Sequence, residues 1–266
     1  MPDTLSLAVA DHVATLTLLR TTMVPAFFTE CEAAFRALAG DASVRAVLVR
    51  SSAKAFSYGL DLPAAFQQYG ALFAGGGAKN RSELLALIRR LQGAFDAVAA
   101  CPVPVIAAIQ GNCIGGGVDL VSACDVRLCS QDARFSVREV KVAIVADLGS
   151  LQRLPRIIGQ GHTRELAFTG KTIGASRAEG IGLVNEVFGT HEELAAASEA
   201  MAREIAQNPP LTVRGIKDVL DFGADRSVPE GLAYVAAHNA AFLASEDLGE
   251  AMAAFMEKRE PRFQGQ

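Results

Sequence analysis

The stretch VPVIAAIQGNCIGGGVDLVSACDVRLCS, residues 103–130, decides how this chain is read. Its first seven residues are apolar and rich in β-branched types. A run that short cannot cross a membrane and reads as a strand buried on both faces. NCIGGG ends the run, VDLVSACD has the pattern of a short helix, and VRLCS is a second strand. A strand, a glycine turn, a helix and a strand in that order predict an α/β fold. Gly115, Gly116 and Gly117 can take backbone angles closed to other residues and let a ligand approach the main chain. A helix start adds unpaired N–H groups and the positive end of a dipole. A phosphate site would show GxxxxGK[ST], and a dinucleotide site GxGxxG. Neither is present, and Asp119 stands where it would repel a phosphate. A transient enolate oxygen suits the turn better, with a purely structural turn as the plain alternative.

Working outward, a second segment has the same shape. AVLVRSS at 46–52 reads as a buried strand, followed by the loop AFSYGLDL at 55–62. LSLAVA and VATLTLL, broken at Asp11-His12, predict a hairpin. Residues 26–39 carry helical spacing and stop at Gly40. Residues 63–79 have no clean period, and GGGAKN within 75–80 suggests a flexible cover over a site. A strong amphipathic helix is expected over 81–99. ARFSVREV holds a short strand, LGSLQRLPRIIG, TRELAFTG and ASRAEGIG are short helices, and LVNEVF is a last strand. From 191 onward the pattern is helical. The division expected is an α/β core over 1–190 and a helical part over 191–266.

The chain has 266 residues, half of them apolar and 20% charged, enough for a sizeable core. A net charge of −4 disfavours nucleic acid as a partner, since phosphate contacts need a basic face. No apolar run reaches the ~18 residues that a membrane helix requires. Cys31, Cys101, Cys113, Cys124 and Cys129 form no CxxC pair, and the first residues show no secretory pattern, so free thiols in a reducing, cytoplasmic setting are expected. The four histidines lie in unrelated contexts without HxxxH or HExxH, and no Gly-x-Ser-x-Gly elbow occurs. Metal binding and Ser-His hydrolysis are therefore not expected.

Three acids stand out. Asp119 follows the glycine turn. Glu139 lies in SVREVKV, a segment read as β-like, and Asp147 in VAIVADLGS, which is otherwise uncharged. Apolar surroundings raise a carboxyl pKa toward neutrality, where proton transfer is efficient. The plain reading of Asp147 is an N-cap of the helix beginning LGSLQRL.

The segment 106–142 resembles the crotonase, or enoyl-CoA hydratase/isomerase, family. AFSYGLDL is similar to that family's first oxyanion loop and EKREPRF at 257–263 to its C-terminal tail. The resemblance implies a core of repeated β-β-α units and a helical C-terminal part that supports trimers or dimers of trimers. It implies an acyl-CoA thioester as substrate and no separate cofactor. It places two oxyanion-hole N–H donors at Tyr58 and Gly116, with Gly59, Leu60, Asp61, Gly115 and Gly117 around the substrate. Met23, with Arg20, is implied near the nucleotide part. Phe255 and Lys258 are similar to tail residues that approach coenzyme A from a neighbouring subunit. LLRTTMVPAFF at 18–28 lacks the Arg-Pro and Asn often found there. The trio Asp119, Glu139 and Asp147 resembles that of the family's Δ3,5-Δ2,4-dienoyl-CoA isomerase branch, in which two carboxyl groups move protons at C2 and C6. Glu139 is implied at C2 and Asp147 at C6, with the reverse open, and Asp119 in support. The alternatives are hydration or Δ3-Δ2 isomerisation of an enoyl-CoA, or acyl-CoA binding without catalysis.

Overall fold

The computed structural model describes residues 4–266. A hairpin opens the chain, β1 (Leu5–Ala10) against β2 (Val13–Leu18). Its turn residues Asp11 and His12 both have positive φ, as a two-residue turn matched to strand twist requires. Next come α1 (Pro25–Gly40), β3 (Ala46–Ser51), α2 (Leu62–Ala74), α3 (Ala78–Ala99), β4 (Val105–Ile109), β5 (Asn112–Ile114) and α4 (Gly116–Ser122). β6 (Val126–Ser130) and β7 (Arg134–Ser136) lead to a 3-10 turn at Glu139–Val142, then α5 (Ser150–Ile157), α6 (Gly159–Thr169), β8 (Ile173–Gly174), α7 (Ala175–Gly180) and β9 (Glu186–Phe188). Four helices end the chain, α8 (His191–Gln207), α9 (Pro210–Gly223), α10 (Val228–Phe242) and α11 (Glu246–Glu257).

The large sheet has the order β1-β2-β3-β4-β6-β9, parallel except for the opening hairpin, and a small sheet has the order β5-β7-β8. The chain repeatedly lays one strand in the large sheet, the next in the small one, and then a helix. β4-β5-α4 and β6-β7-α5 follow this scheme, and in an abbreviated form so does β3, because Ser57 bridges Cys113 of β5 before α2 begins. This is the β-β-α repetition expected from the sequence, and it is why the two glycine-bearing segments share a shape.

The strands of the large sheet are apolar throughout because both faces are covered. Val47, Val49, Val105, Ala107 and Ile109 face the main core with Phe27, Phe28 and Phe95 of α1 and α3. Leu48, Ile106, Ala108 and Leu128 face the other way, onto Leu194, Ala202 and Ala206 of α8. The helical part expected from residue 191 thus begins as the outer cover of the sheet, and α9 to α11 extend beyond it.

Two local expectations are corrected. Residues 63–79 are read as lacking a period, yet most of them lie in α2 (Leu62–Ala74). Asp61 caps it by accepting the Ala64 N–H at 3.0 Å, Pro63 sits in its first turn, and only Ala65 is buried. Hydrophobic periodicity marks burial, so a helix that buries one residue has none to show. Glu139, read in a strand-like segment, opens the 3-10 turn instead, because β7 ends at Ser136.

Candidate active site

The two similar loops meet face to face. Gly115 has φ 52° and ψ −118°, a conformation that suits glycine, and its N–H is held by the Ser136 carbonyl. This turn leaves the Gly116 N–H at the start of α4 without a partner among the described residues. Across from it, Met23 and Leu60 form a parallel bridge in which Met23 donates to Gly59 and accepts from Asp61. The Leu60 N–H therefore points away from that bridge, and it too has no partner among the described residues. A Cβ placed on Gly59 would lie 3.0 Å from the Gly116 nitrogen, and one on Gly116 would lie 3.6 Å from the Leu60 nitrogen. The close approach requires glycine at 59, where φ is 82° and a Cβ would also lie 2.8 Å from the Ile114 carbonyl oxygen, while a Cβ on Gly116 would press on the Met23 sulfur at 3.1 Å; the two unpaired donors are thus brought together. Tyr58, expected to supply the first donor, gives its N–H to the Thr21 carbonyl at 2.6 Å. The available amide is two residues further on, at Leu60.

These amides open into a cleft of about 490 Å³. Asp119, Glu139 and Asp147 all line it, with Tyr58, Gly59, Leu60, Leu62, Asn112, Ile114, Gly115, Gly116 and the apolar side chains of Val142, Ile144 and Leu148. Glu139 Oε1 would lie 3.2 Å from a Cβ on Gly115, so this carboxyl stands beside the residue that precedes the Gly116 amide. Its Oε2 is buried with no hydrogen-bond partner. Buried polar atoms are almost always paired, so an orphan on a residue that lines the cleft is an atom with bonding capacity to spare. Burial, reinforced by the charges of Asp119 and Asp147, pushes Glu139 up to about 7. Burial likewise raises Asp119 to about 6, against the opposing Ser150 N–H at 2.7 Å and with the help of Asp147. Burial raises Asp147 as well. The plain reading of Asp147 as an N-cap is not what is found: α5 begins at Ser150, and the carboxylate that accepts its N–H is Asp119 of α4.

The enoyl-CoA hydratase/isomerase family model matches residues 9–266. The chain belongs to that family. Among its relatives is the "Delta(3,5)-Delta(2,4)-dienoyl-CoA isomerase, mitochondrial" of Dictyostelium discoideum, 44% identical over 89% of this chain and 81% of the relative. A peroxisomal protein of the same name from Arabidopsis thaliana is also 44% identical, over 89% of this chain and 86% of the relative. The crystal structure of an enoyl-CoA hydratase from Bacillus anthracis superposes with a TM-score of 0.89 at 30% identity, covering 99% of this chain and 100% of that one. The mitochondrial and peroxisomal names run against the cytoplasmic location expected from the sequence, and that expectation is set aside. Thiol content and a short N-terminal pattern separate oxidising from reducing settings and do not distinguish one reducing compartment from another.

Other residues expected around coenzyme A have different places in this member of the family. Met23 is 2% exposed and its sulfur would lie 3.1 Å from a Cβ on Gly116, so it packs against the glycine turn and offers almost no surface of its own. Asp61 caps α2 and accepts the Thr22 hydroxyl at 2.9 Å, and these bonds hold its carboxyl below the usual range. Gly117 is buried against Ser57, where a Cβ would be 3.0 Å from the serine Cβ. Phe255 and Lys258, at the end of α11, do not line the cleft. Sequence reasoning missed Asn112, whose amide donates to the Tyr58 hydroxyl at 3.3 Å, and Val142 and Ile144, half-exposed at the cleft. The signal for the last two was the uncharged run VAIVA, read there only as an environment for Asp147. Among the described residues no group of three His, Cys, Asp or Glu side chains is arranged to hold a metal ion.

Proposed function

We propose that the protein isomerises a 3,5-dienoyl-CoA to the 2,4-dienoyl-CoA in fatty-acid β-oxidation. The observation that carries this reading is one cleft in which two carboxyl groups of raised pKa, Glu139 and Asp147, stand before a pair of unpartnered amides. The names of the relatives agree with it.

The thioester oxygen accepts from the Leu60 and Gly116 N–H groups. Glu139, beside Gly115, removes a proton from C2. The electron pair spreads through the 3,5-diene, with negative charge on the thioester oxygen and at C6. Asp147 delivers a proton to C6, and the double bonds come to rest at C2 and C4. Each amide donor to such an oxyanion is worth about 2.7–4 kcal/mol in the transition state. One carboxyl must be ionised and the other protonated at the start. Mutual repulsion within the trio, together with burial, favours that uneven state. Asp119 touches Ser150 and supports the pair. The reaction moves two protons and needs no cofactor beyond the thioester.

We also propose a closed homo-oligomer, because α9 to α11 expose large apolar side chains, Phe255 at 78% and Met256 at 77% among them. Phe255 and Lys258 would then reach coenzyme A of a neighbouring subunit.

The test is an assay with a 3,5-dienoyl-CoA, followed by the absorbance of the conjugated product. Asp147→Asn is expected to lower turnover by roughly 10²–10⁴, the usual contribution of a positioned acid or base, with acyl-CoA affinity retained. Full turnover in that variant removes Asp147 from the mechanism. Hydration of crotonyl-CoA without dienoyl isomerisation would support the hydratase alternative, to which the structural relatives named enoyl-CoA hydratase belong. Binding without turnover would support the non-catalytic one.

A further inference from the structure

We propose that Gln92 is a positioning residue for Asp147: its side-chain amide, reaching from α3 to the Asp147 carbonyl, sets where the Asp147 carboxyl meets the acyl chain. The inference rests on the functional reading above. Gln92 Nε2 donates to the Asp147 carbonyl oxygen at 2.7 Å across 55 residues of sequence. Gln92 is half-buried, as is Asp147.

The loop needs such a hold. Between the end of the 3-10 turn at Val142 and the start of α5 at Ser150 the chain has no regular structure, and Ala143, Ile144 and Val145 are exposed. From Asp147 onward three side chains fasten it. Gln92 takes the Asp147 carbonyl. Arg153 donates to the Leu148 carbonyl at 3.3 Å while its other nitrogen pairs with Asp96 of α3 at 2.7 Å. Asp119 of α4 takes the Ser150 N–H at 2.7 Å. Gly149, at φ 122°, turns the chain between these bonds, and a Cβ there would lie 1.9 Å from Arg153. Arg153 and Asp119 hold the residues after Asp147. Gln92 alone among the three bonds Asp147 itself. A bond to this carbonyl restrains the peptide plane that follows Asp147, and with it the ψ rotation by which the Asp147 side chain would reorient. Removing the bond therefore lets the carboxyl swing without touching it.

The experiment compares wild type with Gln92→Leu and Gln92→Glu. Leucine removes the donor. Glutamate keeps the size and shape and, when ionised, offers only acceptors to the carbonyl. Misplacing a reacting group by about 1 Å costs up to about 10²-fold in rate. Both variants are therefore expected to lower kcat on a 3,5-dienoyl-CoA by about ten- to a hundredfold with KM within about twofold. The carboxyl carbon of Asp147, labelled and followed by NMR in Gln92→Leu, should titrate at lower pH than in wild type as the loop opens to water, while that of Asp119 stays in place. An unchanged kcat in either variant, a KM that rises along with the fall in kcat, or an unmoved Asp147 titration overturns the proposal. Absence of isomerisation by the wild type would instead fail the functional reading, and the Asp147 titration then decides the clamp by itself.

Discussion

Glu139 concentrates the chemistry of this cleft into one side chain. It lies against Gly115, it has one carboxyl oxygen without a partner, and burial with two neighbouring acids lifts it to about 7. A base works when ionised, so kcat/KM should fall about tenfold per pH unit below about 7, and Glu139→Gln should abolish that limb while lowering kcat by roughly 10²–10⁴. A pH profile flat between 5 and 8 would remove Glu139 as the base. All three acids were visible in the sequence, because a charge in an apolar stretch is conspicuous. What each does was less visible. The cap of α5 comes from Asp119, 31 residues earlier, and a cap supplied from another element leaves no local pattern. The Leu60 amide was equally hidden. A main-chain donor carries no residue-type signal, and only the bond between Tyr58 and Thr21 shows which amide of the loop is occupied.

At the scale of elements, strands and glycine turns were legible and α2 was not. The strands announce themselves because both faces of the sheet are covered, and the turns because Gly59 and Gly115 have positive φ where chains approach closely. α2 lies on the outside and is set by its cap. α4 joins stability to chemistry through Asp119, which is 1% exposed. Its folded pKa, about 6, stands above its ordinary value of 3.8, so the folded state holds the proton through that interval. Its contribution to stability is complete below pH 3.8 and is lost as pH rises to about 6, in all about 3 kcal/mol at 1.4 kcal/mol per unit. Asp119→Asn keeps an acceptor for the Ser150 N–H and removes the charge. Denaturant unfolding should therefore show a flatter pH dependence between 4 and 6 and a gain of about 1–3 kcal/mol at pH 8. The same variant should move the Glu139 limb to lower pH, because one of the charges that raise it is gone. A stability curve unchanged in shape would show that Asp119 does not titrate in the fold.

Over the whole molecule the sheet is closed on both faces, yet its helical end is not. Ile216, Leu220, Phe242, Leu243 and Leu248 of α9 to α11 surround a groove of about 410 Å³, and all five are more than 40% exposed. Burying one such side chain is worth about 1.5–3 kcal/mol. Five left in water in one place support the association proposed above. The 27.9 kDa chain is expected to sediment as a multiple of that mass at micromolar concentration. Leu220→Glu with Leu243→Glu places two charges in the groove and should give a folded monomer, with circular dichroism retained because neither residue belongs to the sheet core. The activity of that monomer then separates the two halves of the site. The amides and acids lie within one chain, so turnover at saturation should survive. Phe255 and Lys258 would be lost from the neighbouring subunit's coenzyme A, so KM should rise about tenfold or more, as removal of uniform binding does. A monomeric variant with unaltered KM would assign coenzyme A recognition to a single chain, and sedimentation of the wild type at 27.9 kDa would leave the apolar groove without the partner proposed for it.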